Sequence, residues 1–177
     1  IAARSPLSSF ILARAARSRV KVVLNGQGAD ELFGGYIRYV LLNHEAELGQ
    51  DPLLVQYAPV ARRLWHPSMF GEPALRYLQM NQRVSPQPPR PLDIVRQAFA
   101  QHRDLVTQMG WADITITLPD IIAMDDRGCA RVGVESRAPF LDHRIVEFAF
   151  RLPGRMKIRE GGLTKWILRE VAREFLP

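Results

Sequence analysis

The sequence predicts an α/β fold in which the edge of a parallel sheet joins a mainly helical body. Three observations point there. Residues 20–24 (VKVVL) form a short, nearly continuous apolar run, the kind buried in parallel sheets. Glycines and an acidic helix start follow directly. After that, helical patterns succeed one another, which marks the edge of an α/β domain carrying a helical extension.

Taken in order, Ser5-Pro6 opens a helix, with Ser5 as N-cap and Pro6 at the first helical position. Leu7, Phe10, Ile11 and Ala15 share its inner face. The strand at 20–24 runs into NGQG, and a helix starts near Asp30 with a bend at Gly34-Gly35. Residues 41–82 are helical in tendency and carry no interpretable motif. SPQPPRP, residues 85–91, is a loop, because its prolines fit neither a helix interior nor a central strand. Helices are expected over 92–109 and again from about Pro119. In SRAPFLDHRIVEFAFRLPG a turn leads to a helix capped by Asp142. Ile145, Phe148, Ala149 and Leu152 line it, and Pro153-Gly154 stops it. A last helix begins at Thr164, with Ile167, Leu168, Val171 and Phe175 inward.

The chain has 177 residues, 47% apolar and 24% charged, enough to bury a real core as one domain or part of a larger one. It opens at Ile1 and stops at Pro177 straight after a helical pattern, so a fragment is expected. The net charge of +6 raises nucleic acid as a partner. Yet the basic residues are spread through amphipathic segments, usually beside an acid, and form no dense block. The single cysteine, Cys129, excludes an internal disulfide and a CxxC metal site. His44, His66, His102 and His143 lack the paired spacing of a zinc site. No apolar run approaches the ~18 residues of a membrane span, so a cytoplasmic location and no membrane partner are expected.

The chemistry concentrates in the loop after the strand. The C-terminal end of a buried strand, glycines and a helix N-terminus form the usual address for a nucleotide in an open α/β sheet. Gly26 and Gly28 permit close backbone approach or positive φ. The loop is neither a Walker A, since no GK[ST] follows, nor GxGxxG, since Glu31 stands where the third glycine belongs. Asp30 and Glu31 have two readings: complements to the helix dipole, or, for Asp30, a ligand for a Mg²⁺ that accompanies phosphates. Lys165 faces the same choice. A cation at a helix N-terminus is disfavoured by about 0.3–1 kcal/mol when exposed. It is either tolerated in solvent, or shares its site with an anion and neutralises charge in a transition state. Gly161-Gly162 before it suit a segment that closes over substrate. In GVESRAPFLDHR, a Glu135–Arg137 pair and a cap at Asp142 give a purely structural alternative.

Together these stretches resemble the synthetase domain of the glutamine-dependent asparagine synthetases. The family text around the loop is close to S-G-E-G-x-D-E-x-F-G-G-Y, matched here from Asn25 to Tyr36. E-x-R-x-P-F-L-D is matched from Glu135 to Asp142, and K-x-x-L-R-E from Lys165 to Glu170. The resemblance implies a Rossmann-like PP-loop ATP pyrophosphatase fold, of the adenine nucleotide alpha-hydrolase type. It implies an enzyme that adenylates a carboxylate with ATP and Mg²⁺, releases pyrophosphate, and lets an amine displace AMP. In asparagine synthetase the acid is aspartate and the amine is ammonia from a glutaminase domain. By the same resemblance Asn25, Gly26 and Gly28 belong to the ATP loop. Asp30 would hold Mg²⁺, and Lys165 would stabilise the adenylation transition state. Asp120 lies near a position that can be acidic in the acceptor site.

Residues 1–177 are expected to lack the upstream Ser-Gly-Gly-x-Asp-Ser loop and the N-terminal glutaminase domain, and to be inactive alone. One departure matters. Gln27 stands where the asparagine-forming members have a glutamate, and an amide cannot act as a base. Three readings stay open: an amidotransferase with aspartate or another acid as acceptor, an idle nucleotide-binding or scaffold module, and a basic nucleic-acid-binding domain. Gln27 and the unusual GCARVG segment at 128–133 motivate the second reading.

Overall fold

The computed structural model describes residues 4–44, 72–81 and 90–176. Helix α1 (Arg4–Ala16) leads to strand β1 (Val22–Leu24). The short helix α2 (Ala29–Phe33) and helix α3 (Ile37–Asn43) follow. Next come α4 (Pro73–Asn81), α5 (Arg90–Phe99) and α6 (Leu105–Ala112). A π-helical turn (Asp113–Thr117) joins α6 to α7 (Leu118–Ala130). Strand β2 (Glu135–Arg137), a 3-10 turn (Pro139–Leu141) and α8 (His143–Arg151) come next. The described chain closes with α9 (Gly154–Lys157), a tight turn (Glu160–Gly162) and α10 (Trp166–Ala172). The architecture is thus mostly helical with a small parallel sheet, compatible with the α/β reading.

The sheet pairs β1 and β2 in parallel, with Val22, Val23 and Leu24 opposite Glu135, Ser136 and Arg137. The second strand went unseen in the sequence, because ESR has no apolar alternation. Burial of β1 is one-sided, against the expectation of a buried strand. Val23 packs on Ala13, Cys129, Val132 and Val134, whereas Leu24 is 73% exposed. The physical reason is the sheet's size: α1 and α7 pack together on one face, and the outward residues have no layer above them among the described residues.

Two apolar clusters hold the rest. The larger gathers Tyr39, Val40, Tyr77, Phe99, Val106, Met109 and Ile158 from α3 to α6 and the end of α9. The other sits under the glycine loop: Leu32, Phe33 and Ala149, with Phe140, Ile145, Ile167 and Leu168 packed against them.

Several boundaries differ from the sequence reading. Ser5 lies inside α1, which starts at Arg4, and the inner face is Phe10 and Ala13 while Leu7 and Ile11 are exposed. The helix expected over 92–109 is two helices. Asp104 caps the second by accepting from Thr107 N–H at 3.0 Å, and that local bond competes with a continuous helix. Arg90 and Pro91 belong to the first turn of α5, where a proline costs no hydrogen bond; residues 85–89 of the expected loop lie outside the described residues. The bend at Gly34-Gly35 is a full break, with Gly34 left-handed at φ 69°. Phe148, Val171 and Phe175 point outward. Of α10, Ile167 and Leu168 pack on the cluster that holds Leu32 and Phe33 of α2 and Ala149 of α8.

Candidate functional site

Asn25 directly follows β1 and is latched by side-chain bonds. Its Nδ2 donates to Ser136 Oγ at 2.7 Å and to Asp125 Oδ2 at 3.2 Å, and Ser136 Oγ donates to the same oxygen at 2.9 Å. Its Oδ1 accepts from Gln27 N–H at 3.0 Å, closing the local turn that Asn side chains favour. The loop backbone is therefore fixed to β2 and α7 before any ligand arrives. Gly26 has open space where a side chain would sit. Gly28 is different: at φ 91° it caps α2, and a Cβ there would lie 2.3 Å from Leu141 Cδ2. Gly26 leaves the backbone approachable from solvent, and Gly28 lets the loop settle onto the PFL turn.

Asp30 lies in the first turn of α2. Its carboxylate meets Lys165 Nζ at 2.9 Å, with side chains 37% and 30% exposed. This pair rests on the backbone of Gly35, where a Cβ would fall 1.9 Å from Asp30 Oδ1 and 2.3 Å from Lys165 Cε. The second glycine pair of the motif thus has separate tasks. Gly34 turns the chain, and Gly35 makes room for the pair.

Lys165 is the N-cap of α10, so that helix starts after Lys165 and not at Thr164 as read from sequence. It is the one non-glycine residue with positive φ among the described residues, at φ 52°. A left-handed lysine costs on the order of 1 kcal/mol and persists only where the surroundings enforce it, typically at functional sites. The turn before it is closed by Arg159 N–H to Leu163 O at 3.1 Å, with Gly161 and Gly162 both at positive φ. That turn aims Lys165 back at α2.

Gln27 lines a small cleft of about 110 Å³ with Asn25, Ser136, Asp125 and Asp126. Asp120, expected near the acceptor, stands exposed in the first turn of α7, and the cleft draws on Ile122, Asp125 and Asp126 from that helix instead. A largely apolar cavity of about 290 Å³, which shares Asn25, Asp125 and Ser136 with that cleft, opens between α1, β1 and α7, walled by Leu12, Ala13, Val23 and Cys129. The structural readings of the ESRAPFLDHR stretch hold: Arg137 pairs with Glu135 at 2.7 Å, and Asp142 caps α8 through Arg144 N–H. The Arg144 side chain also grips that carboxylate, holding Asp142 well below the usual carboxylate range.

Sequence reasoning missed Asp125 and Ser136. Asp125 is 8% exposed, and its signal was positional: it precedes the buried Cys129 by one helical turn on the inner face of α7. Ser136 carried no signal until the strand pairing was known.

Among the described residues no three His, Cys, Asp or Glu side chains gather as a metal centre. A single half-exposed carboxylate at Asp30 does not suit a stand-alone metal. It does suit Mg²⁺ delivered with nucleotide phosphates, which needs one or two protein carboxylates. No described helix is long and apolar enough to cross a membrane.

Comparison with known proteins identifies the family. The family model described as asparagine synthase matches residues 1–177. Asparagine synthetase [glutamine-hydrolyzing] 1 of Bacillus subtilis (strain 168) is 27% identical over 203 residues, covering 95% of this chain and 30% of the relative. The human asparagine synthetase [glutamine-hydrolyzing] is 47% identical over 45 residues, 25% of this chain and 8% of its own length. The chicken enzyme of the same name is 42% identical over 45 residues, again 25% of this chain and 8% of its own. The chain therefore spans less than a third of the length of the curated relatives that match it end to end. No solved structure matches it. On the match across its full length, the chain belongs to the asparagine synthase family.

Proposed function

We propose that this chain is the adenylating portion of a glutamine-dependent, amide-forming ligase. The observation that carries this reading is the Asp30–Lys165 pair at 2.9 Å, set across Gly35 beside an open glycine loop. Carboxylate and ammonium are held together, half in solvent, at the start of one helix and the cap of another. An ATP polyphosphate entering over α2 exchanges the internal pair for better partners. Its oxygens take Lys165, and Asp30, freed from that partner, would be the residue that holds Mg²⁺. Bound there, Mg²⁺ would neutralise phosphate charge.

The chain's own residues do the rest. The unobstructed backbone at Gly26, next to the start of α2, leaves room for anionic oxygens to approach. Asn25 keeps that loop in place through Ser136 and Asp125. The apolar cavity beside Asn25 suits the flat base of the nucleotide. Lys165, fixed by its strained cap, is placed to meet charge that grows on the phosphate as the acyl-adenylate forms, which is where a preorganised cation contributes most. Ammonia from a glutaminase domain would then displace AMP.

Gln27 bears on the acceptor. It is neutral and cannot take a proton from the attacking amine. The carboxylates that line the cleft with it are Asp125 and Asp126. Asp125 is committed to Asn25 and Ser136. Family membership makes aspartate or a related carboxylate the acceptor, and Gln27, not Asp120, lines the cleft.

The experiment is pyrophosphate release from ATP and Mg²⁺ by the full-length protein, given glutamine, with and without aspartate. Release that depends on aspartate identifies an asparagine-forming enzyme. Release with another acid alone identifies a relative making a different amide. Silence with every acid tested overturns the adenylation reading in favour of an idle module of the same fold.

A further inference from the structure

Asp30 and Glu31 are neighbours in sequence and opposites in surroundings. Successive residues on a helix point about 100° apart, so while Asp30 faces Lys165, Glu31 turns into the protein and is 4% exposed. Its carboxylate accepts a 2.6 Å bond from Tyr36 Oη, which spans the Gly34-Gly35 turn from its far side. The Tyr36 ring lies under the Arg38 guanidinium, 3.7 Å from ring centroid to Cζ. Arg38 Nη2 donates to Asp113 Oδ2 at 2.5 Å, and Asp113 also accepts from Tyr39 Oη and, at 2.5 Å, from Tyr77 Oη. Asp113 is 1% exposed and opens the π-helical turn between α6 and α7. Such π turns commonly occur at functional sites.

We propose that Glu31, Tyr36 and Arg38 are positioning residues that set the Asp30–Lys165 pair. The argument is geometric. Gly34 and Gly35 supply no side chain to hold their own turn, and Gly35 is the floor on which the pair rests. A rigid floor therefore needs an outside brace. The Glu31–Tyr36 bond closes the turn like a clasp, and Arg38 stacks the clasp onto a buried carboxylate anchored by Tyr39 and Tyr77. On the far side, α2 is pressed against α6: a Cβ on Gly110 would lie 2.5 Å from Glu31 O. Glu31 is thereby excluded as a metal ligand, because its carboxylate faces away from Lys165 and is already bonded. This inference rests on the proposed role of Asp30 and Lys165.

The test uses Tyr36→Phe in the full-length protein, which removes one hydroxyl and keeps the ring under Arg38. The expected result is a fall in the rate of pyrophosphate release of about tenfold, equivalent to ~1.4 kcal/mol, with little change in KM for ATP. The same change made on Lys165→Ala should have no further effect, because both act through one pair. Equal and additive losses in the two backgrounds would overturn the proposal. Glu31→Gln, which still accepts from Tyr36, should retain the rate, and Glu31→Ala should lose it. Equal losses in both would show that Glu31 acts through its charge, and the clasp would be refuted. If the protein releases no pyrophosphate with any acid, the clasp remains testable without turnover. With lysines ¹³C-dimethylated, the Lys165 signal, identified by its absence in Lys165→Ala, should move toward that of exposed lysines in Tyr36→Phe. An unmoved signal would overturn the positioning role by itself. Should Tyr36→Phe fail to fold, Glu31→Gln against Glu31→Ala decides the matter with the same readouts.

Discussion

The molecule contains two carboxylate–cation pairs of opposite character, one at Asp30–Lys165 and one at Asp113–Arg38. In the first, the side chains are 37% and 30% exposed. In the second they are 1% and 17% exposed, and two tyrosine hydroxyls complete the shell of the carboxylate. Burial decides what each pair can do. Water competes well enough at Asp30 for its partner to be exchanged, so that pair is worth little in stability, roughly 0–1 kcal/mol. At Asp113 no exchange is possible without leaving a charge stranded in apolar surroundings. Of these two pairs, the fixed one lies inside and the exchangeable one beside the glycine loop.

The most forceful way to break this contrast is Asp113→Ala. It strands Arg38 and leaves Tyr39 and Tyr77 without their acceptor, and breaking a buried pair from one side costs about 3–5 kcal/mol. Calorimetric unfolding of the full-length protein should show the transition of this domain lowered by several degrees. An unshifted transition would mean that the network is not a structural anchor.

Lys157 supplies a buried cation with almost no partner. It is 1% exposed, with Thr107 Oγ1 at 3.4 Å and the Phe150 ring at 5.2 Å. Burial lowers its pKa to about 8, only partly countered by the Asp104 carboxylate. Because the folded value lies below the unfolded one near 10.4, the unfolded chain holds more protons between the two. Stability should thus rise with pH from about 8 upward, by up to ~3 kcal/mol for this group. Cys129 and the tyrosines of the Asp113 network, all raised by burial, pull the other way within the upper part of this range, the thiol from about pH 9 and the phenols from about pH 10. Lys157→Met separates the contributions. It should be more stable than wild type near neutral pH, with the advantage vanishing by about pH 10. An advantage independent of pH would show that Lys157 is not the titrating group.

Lys165→Ala sharpens the other half of the contrast. Activity should fall by at least ~10²-fold, about 2.7 kcal/mol in the barrier, while stability changes by less than ~1 kcal/mol. A variant altered only in KM would make Lys165 a ground-state contact. The smallest and most selective change is Gln27→Glu, which should leave stability within about 0.5 kcal/mol and alter acceptor use. Asparagine formation created or raised by it, followed as product with aspartate supplied, would assign acceptor chemistry to this position. An unchanged product profile would place that chemistry elsewhere.

Much of the site was legible because its signals are local. The glycine loop, the acidic start of α2, the caps at Asp142 and the lysine before WILRE are each written within a few adjacent residues. Family membership followed from the same short stretches. The limits of legibility were equally specific. Asp104 divides an apparently continuous helical pattern, since a capping carboxylate acts locally against the periodicity around it. Thr164 was the better N-cap by residue type, yet Lys165 holds that place because Gly161, Gly162 and the Arg159–Leu163 bond turn the chain there.

The sequence by itself determined that a strand would end in a glycine loop, that Asp30 would stand at a helix start, and that Gln27 would bring no base. Only the tertiary structure decided which groups share that space. Asn25 meets Asp125 and Ser136 across 100 and 111 residues of chain, Lys165 reaches Asp30 over the bare backbone of Gly35, and Glu31 turns inward to Tyr36. Loop, cap and helix starts follow from interactions within a few bonds of each residue. Pairings between distant residues depend on how intervening elements pack and on which side chains that packing removes from water, and no local pattern carries that information.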